Sequence, residues 1–552
     1  MIAGRDADVV VVGSGPGGLA AAAYLAAAGR RVVVVEARDT PGGHQSAFSR
    51  GGYEFDIGLH YVTPSPLRAL LAPLGIGVDV TRFNPDALFT LEFPDGTIRV
   101  PLGIEVVGDR LCATFPGEAA AVREFLATIV ALAGDMRALG DDRHLRDLLG
   151  MPRPAWQLLR HARMTLGGYL DSLRVSPRLR TVLSWADGVF ALPPSRLPLL
   201  GYAAVVVDYL TDGVAYPCGG SRRISEALAE LVLAHNGRLL LRTEVTGIIV
   251  EHGRVRGVRT RPADSEAASG PETVILAPVV VAAGDLKHTF LELLPPEAVP
   301  ARLLRRVRGF EMALPLAVVH LVLDRDLAAE GVPATNPIVI SGDRGEEMYA
   351  ALRAGRASAD TVVHLGLSSL ADPGNRRLCR PGQSTVQLIT VAPASPDFWG
   401  VRPGCAPTAP YAARKRELRD RLLQAADRAI PGIAGDVVYE DVSTPVTDER
   451  LMRCTGGTPY GIAVTPEQML HRPGPVTAVP GLFLAGASTR SMHGLVGALT
   501  GGMAAASAVL GSPPAALLGP LARPYPPVSL VPRAPARSPA GWGPGGRACG
   551  TR

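Results

Sequence analysis

Gly13, Gly15 and Gly18, with Ser14 and Gly17 between them, are the first residues whose types and spacing can do chemistry. Where a strand feeds the turn and a helix leaves it, glycines so spaced form a cradle for a pyrophosphate. Gly13 permits the tight turn, Gly15 lets backbone come close to the phosphates, and Gly18 allows close helix–strand packing. The helix that opens there aims free N–H groups and the positive end of its dipole at the anion. Glu36 follows Gly13 by 23 residues and is placed to accept hydrogen bonds from ribose hydroxyls. Such an acid disfavours a 2′-phosphate, so NADP is not expected. FAD and NAD both carry the adenosine diphosphate that fits, and both remain open.

The elements needed to position this loop are legible around it. Asp8 to Val12 is a short apolar run of the kind buried on both faces of a parallel sheet. Gly17 to Ala28 is an alanine-rich helix with Gly29 where a C-terminal cap belongs, and Val32 to Val35 is a second strand. Further on, a helix over Arg222 to His235 ends at the Asn236-Gly237 turn signal. Short strands follow at 238–241, 245–251 and 255–260, then one buried strand from Val274 to Ala282. The last periodic segment, Gly481 to Leu510, reads as strand, loop and small-residue helix.

Residues of about 80–200 and 290–445 differ in texture, mixing amphipathic helices with short strands such as Thr90 to Phe93 and Thr97 to Val100. This interleaving predicts an α/β protein of two discontinuous domains. A doubly wound, Rossmann-like dinucleotide domain is drawn from 1–80, 205–290 and 445–512, and a mixed α+β domain from 81–204 and 291–444 is inserted into it. Residues 513–552 hold ten prolines, five arginines and no acid, and are expected to be a disordered tail.

Composition removes several function classes. The formal charge of +5 resides in that tail, and outside it basic and acidic residues balance, so no nucleic-acid partner is expected. The six cysteines are scattered and form no C-x-x-C pair, which gives no metal site, disulfide scaffold or haem attachment. No run approaches the roughly 18 apolar residues of a spanning helix. The first apolar run is broken by glycines and is not expected to be a signal peptide. A cytoplasmic location is expected. The basic, amphipathic stretch 153–164 reads either as a solvated helix or as a peripheral membrane contact.

Several longer motifs accompany the glycine loop. They are Glu36-Ala37-Arg38-Asp39-Thr40-Pro41-Gly42-Gly43, Gly52 to Val62 with its His60-Tyr61 pair, Ala215 to Gly220, Ala277 to Gly284, and Leu293-Leu294-Pro295. Gly481 to Gly486 and Gly494 to Gly497 complete the set near the end. Together they resemble the flavin-dependent phytoene desaturases, carotenoid isomerases and retinol saturases, over residues 8 to about 510. The His-Tyr pair is most similar to the retinol saturase branch.

That resemblance implies FAD as cofactor. It implies that the segment with Arg38, Gly42 and Gly43 approaches the pyrophosphate and ribityl chain, that main-chain atoms of Val245 bind adenine, and that Gly486 through Val496 line the flavin end. Ala487 departs from it, standing where many relatives place an acid or amide, and Ser488 to His493 departs as well. His60 and His493 are expected nearest the flavin, donating a hydrogen bond or moving a proton. Tyr61 either packs on the ring or donates a proton. An ordinary structural role competes for each of the three. The glycine-rich C-terminal helix is expected to pack closely on the cofactor.

The implied activity is saturation, desaturation or isomerisation of a carbon–carbon double bond in a long apolar isoprenoid. No second glycine fingerprint appears, so the electron donor or acceptor is a nicotinamide bound without its own fold, a protein, a quinone or oxygen. An amine-oxidase-like flavoenzyme is the alternative, weakened by an aromatic content of only 5%. A prenyl-binding protein that has lost flavin is the third, and the intact glycines and Glu36 argue against it.

Overall fold

The computed structural model describes residues 6–58, 60–139, 154–263, 272–342, 345–401 and 405–517. Its first sheet is five-stranded and wholly parallel, in the spatial order Leu482–Leu484, Val279–Ala282, Val9–Val12, Val32–Val35, Arg238–Leu240. Numbered along the chain this is 5-4-1-2-3, the doubly wound arrangement in which strand order reverses beside the first strand. Both faces of its four-valine strands are covered, which explains their unbroken hydrophobicity.

The helices Pro16–Ala27, Arg222–Ala234 and Gly494–Leu510 cover one face. The antiparallel meander Thr243–Glu251, Arg254–Pro262 and Thr273–Leu276 covers the other. The single strand expected over Val274 to Ala282 is in fact two. Thr273–Leu276 pairs in the meander and Val279–Ala282 in the parallel sheet. Pro278 lies between them, and a residue without an N–H cannot continue a ladder.

The second sheet has seven strands, drawn from Phe89–Phe93, Gly96–Val100, Leu316–Leu323, Asn336–Ile340, Val362–Gly366, Ser384–Val391 and Val437–Ser443. It is antiparallel except where Asn336–Ile340 runs parallel to Phe89–Phe93. One face packs on the helix Ala409–Ala426 through Leu418, Leu422 and Leu423. Its other face carries Val318, Ile338, His364 and Ile389 to the wall of a large cavity. A layer of helices, chiefly Ala119–Leu139, Leu166–Leu173, Pro177–Leu183 and Leu199–Asp212, packs together beside Phe89 and Leu91.

Arg153 lies outside the described residues. Pro154–His161 is helical, with Leu158 and His161 buried and Gln157 and Arg160 exposed, so its inward face rests on the protein. Of the expected tail, residues 518–552 lie outside the described ones. Its beginning departs from the expectation: Pro514–Leu517 form a short helix, and Leu517 is buried against the first core.

Candidate active site

The glycine loop separates into two kinds of residue. A Cβ at Gly17 would stand 2.5 Å from Gly486 Cα, and one at Gly18 would stand 2.1 Å from Gly13 O. Both are packing glycines. Gly15 is the opposite case: a Cβ there meets nothing within 4 Å, because the residue faces the cavity. Gly13 and Gly42 adopt positive φ, +92° and +118°, which side chains rarely tolerate. Gly43 lies against Gly15, where its Cβ would be 3.2 Å from Gly15 Cα.

Glu36 is buried at the end of the second strand, and its carboxylate is already engaged. Oε2 accepts from Ser14 N at 2.9 Å and Ser14 Oγ at 2.6 Å, and Oε1 accepts from Arg38 N at 2.9 Å. Beyond the ribose role expected of it, Glu36 thus ties the glycine loop to the second strand. A carboxylate has about four lone-pair sites, so capacity remains for ribose hydroxyls. Arg38 turns back from it, donating to Ser46 Oγ at 2.7 Å and Gly43 O at 3.2 Å. Val245 sits on the cavity wall where the meander's register shifts between Val245 and Gly247. Such a bulge takes backbone groups out of the ladder.

Two knots hold the remaining motifs. Asp56 is buried, and its carboxylate accepts from Tyr216 Oη and from Ser221 Oγ at 2.5 Å. This ties the His60-Tyr61 motif to the Ala215–Gly220 motif, 160 residues away in the chain. Arg472 is buried and donates to Ile462 O at 2.8 Å, Thr489 O at 2.9 Å and Ala487 O. The loop that departs from the family pattern is therefore held by backbone carbonyls on one guanidinium. Burial lowers that guanidinium to about 10, which leaves it charged at neutral pH.

One continuous cavity of about 1060 Å3 connects these parts. At one end lie Gly13, Gly15, Glu36, Arg38, Gly43 and Val245. Gly486 through Val496 form its middle wall, apart from Thr489, which points away. The other end is apolar and aromatic, with Tyr61, Trp185, Phe190, Tyr209, Tyr349 and Tyr460 among its lining. Single-ligand sites usually span about 300–1,000 Å3, so this space suits a dinucleotide with a second molecule beside it. The six rings also correct an inference from composition, since a chain poor in aromatics concentrates them here. The C-terminal helix shares its duties. Gly494 to Ala498 line the cavity, while Gly502 packs on the first helix, where its Cβ would stand 2.3 Å from Gly17 O.

His60, Tyr61 and His493 all line this cavity. The Tyr61 ring stacks on His364 at 5.6 Å and meets Phe89 and Tyr209 edge-on. Burial holds His60 and His493 down at about 4, so both are neutral at pH 7. His493 Nε2–H donates to Val189 O at 2.9 Å, which leaves Nδ1 buried as an acceptor without a partner. The donor role expected of it gives way to an acceptor role, because its one proton is spent on that carbonyl.

His44, His364 and Asp187 line the cavity too, and none stood out in the sequence. His44 follows the Gly42-Gly43 pair directly, which is the one local signal available. Its Nε2 is buried without a partner, as are His60 Nδ1 and His364 Nε2. Unsatisfied buried polar atoms around one cavity are what a bound polar ligand would complete. Together with the open space at Gly15 they fit a flavin dinucleotide.

Comparison with known proteins agrees. All-trans-retinol 13,14-reductase of Macaca fascicularis is 27% identical over 538 residues, covering 91% of this chain and 85% of that protein. A neurosporene-forming phytoene desaturase of Cereibacter sphaeroides is 27% identical over 524 residues, covering 90% of this chain and 93% of that one. The solved structure of putrescine oxidase bound to putrescine superposes with a TM-score of 0.61 at 17% identity, over 92% of this chain and 99% of that one, and shows the shared fold. The family profile for flavin-containing amine oxidoreductases matches residues 16–510, and the chain belongs to that family, with FAD as its cofactor.

Proposed function

We propose that this protein transfers hydrogen across a carbon–carbon double bond of a long apolar isoprenoid. The observation that carries the reading is the cavity, which runs without interruption from the dinucleotide loop into an aromatic and aliphatic chamber. Similarity over 91% and 90% of the chain to a retinol reductase and a phytoene desaturase supports it. Gly13, Gly15, Glu36, Arg38, Gly43 and Val245 hold the adenosine diphosphate, Ser14, Gly17, Gly18 and Gly42 shape the loop around it, and Gly486 through Val496 face the ring end. When bound, the flavin supplies two-electron hydride exchange.

The chain's own residues bind, orient and exclude water. Tyr61, Trp185 and Tyr209 offer flat apolar faces to a polyene, and Ile338, Val362 and Ile389 add aliphatic lining. His60 and His493 contribute neutral acceptors. No helix among the described residues is long and apolar enough to cross a membrane. Pro66, Ala69, Met136, Leu200 and Val205 add apolar lining, which suits a substrate dissolved in lipid. Electrons arrive or leave through a partner outside this chain.

The aromatic lining and the family name keep an amine substrate as the second reading. The flavin spectrum of the purified protein, and the mass spectrum of the lipid extracted with it, test the first. A polyene or prenyl alcohol bound in stoichiometric amount supports the isoprenoid reading. Turnover of primary amines, with no conversion of any polyene, refutes it.

A further inference from the structure

Reducing a carbon–carbon double bond takes a hydride, with its two electrons, onto one carbon and a proton onto the other. Forming the bond returns both. The histidines on the cavity wall are poor sources of that proton, since burial holds His60 and His493 at about 4 and His364 at about 3. The hydroxyls of Tyr61, Tyr209, Tyr349 and Tyr460 are pushed far above the neutral range by the same desolvation.

Asp187 is built differently. It stands on the cavity wall and opens the short 3-10 turn Asp187–Val189, which lies between the helices Pro177–Leu183 and Leu199–Asp212. The Gly188 N–H and the Tyr349 hydroxyl favour the ionised form of its carboxyl, and loss of water outweighs them. The turn is pinned on both sides of the cavity. Tyr460 Oη donates to Gly188 O at 3.3 Å, His493 donates to Val189 O, and Phe190 meets the His493 ring edge-on at 5.6 Å. The same turn therefore fixes His493 and presents Asp187. Glu346 and Tyr349 face it from the helix Gly345–Arg353, and Tyr202 from the helix Leu199–Asp212. Burial, seconded by the Glu346 charge, raises the carboxyl to about 8. Asp448 is also raised, to about 7, but it neighbours Arg38 at the dinucleotide end.

We propose that Asp187 is the acid–base residue of the reaction. Its proton passes to the carbon that does not receive the hydride, forming the second C–H bond and leaving a carboxylate that solvent reprotonates. In the desaturating direction, that carboxylate removes the proton. The proposal rests on the isoprenoid reading above. General acids contribute about 10²–10⁴ in rate when their pKa lies near the working pH.

Asp187→Asn keeps the shape and loses the labile proton. The variant holoenzyme should bind flavin fully, turn over its polyene on the order of 10²–10⁴ more slowly, and lose an infrared band of a protonated carboxyl. In the wild-type holoenzyme that band should titrate away near pH 8. Tyr349→Phe removes a hydroxyl that favours the Asp187 carboxylate, so it should move the basic limb of the pH profile upward. If Asp187→Asn misfolds, the wild-type infrared titration and the Tyr349→Phe profile decide. An active wild type with an equally active Asp187→Asn variant overturns this proposal alone, as does the absence of any carboxyl titrating near neutral pH. A flavin-loaded wild type inert towards every polyene overturns the substrate reading, and this proposal with it.

Discussion

The two ends of the cavity are built by opposite means. The dinucleotide end is made of backbone, with glycines whose missing side chains create the space and one carboxylate that ties the loop to the neighbouring strand. The apolar end is made of side chains contributed by segments hundreds of residues apart, among them Tyr61, Trp185, Tyr349, His364 and Tyr460. A pyrophosphate is recognised by a fixed pattern of N–H groups that one short stretch of chain can supply. A long apolar molecule is recognised by shape and exclusion of water, which requires walls from many elements. Substitutions at the first end should therefore act as switches, and those at the second as graded adjustments.

The largest effect is expected within the glycine loop itself. Gly18→Val places carbon against Gly13 O, where even a Cβ is 2.1 Å away, and should abolish folding of the first sheet. Gly15→Val meets open space, so the variant should fold and melt like wild type but bind no flavin. Circular dichroism with a flavin spectrum separates the two. A Gly15→Val protein that stays yellow would show that the pyrophosphate lies elsewhere.

Glu36→Ala should fall between these extremes. It loses a charge-assisted contact worth about 1.5–3 kcal/mol to the cofactor, or about ten- to a hundredfold in affinity. It also orphans Ser14 N and Arg38 N, so the melting temperature of the flavin-free protein should drop as well. Titration calorimetry and thermal melts measure each part. An unchanged affinity would confine Glu36 to holding the loop.

The contrast also explains what was legible in the sequence. Gly13 to Gly18, Glu36 and the valine strands are contiguous, so local spacing exposes both their fold and their chemistry. The helices at 16–27 and 222–234 emerge within one residue of expectation. The break at Pro278 was missed because the apolar run continues across it while the hydrogen-bonding partner changes. Asp187 and His364 were invisible for another reason. Nothing beside Asp187 in sequence reveals that Tyr349 faces it, or that His364 shares a wall with Tyr61. Aromatic content misled because an average over the chain says nothing about where rings gather.

At the apolar end the expected effect appears only with pH. Burial lowers His364 to about 3, so between about pH 6.5 and 3 the unfolded chain binds a proton that the folded one refuses. The stability that this neutral imidazole retains above pH 6.5 is lost progressively as acid is added. His364→Leu removes that term. Relative to wild type, the variant should gain about 1.4 kcal/mol per pH unit as pH falls through this window. Denaturant unfolding at pH 7 and pH 5 reads the difference. A gap that does not change with pH would mean that His364 is not held neutral by burial.

A single-turnover experiment without oxygen tests the continuity of the two ends most directly. Holoenzyme with its flavin reduced or oxidised is mixed with polyenes of graded length and saturation, and absorbance and product mass are followed together. The flavin should change redox state in one-to-one step with the gain or loss of a hydrogen pair at one carbon–carbon bond. A flavin that stays unchanged with every polyene, yet is promptly reduced by a primary amine, would contradict the account.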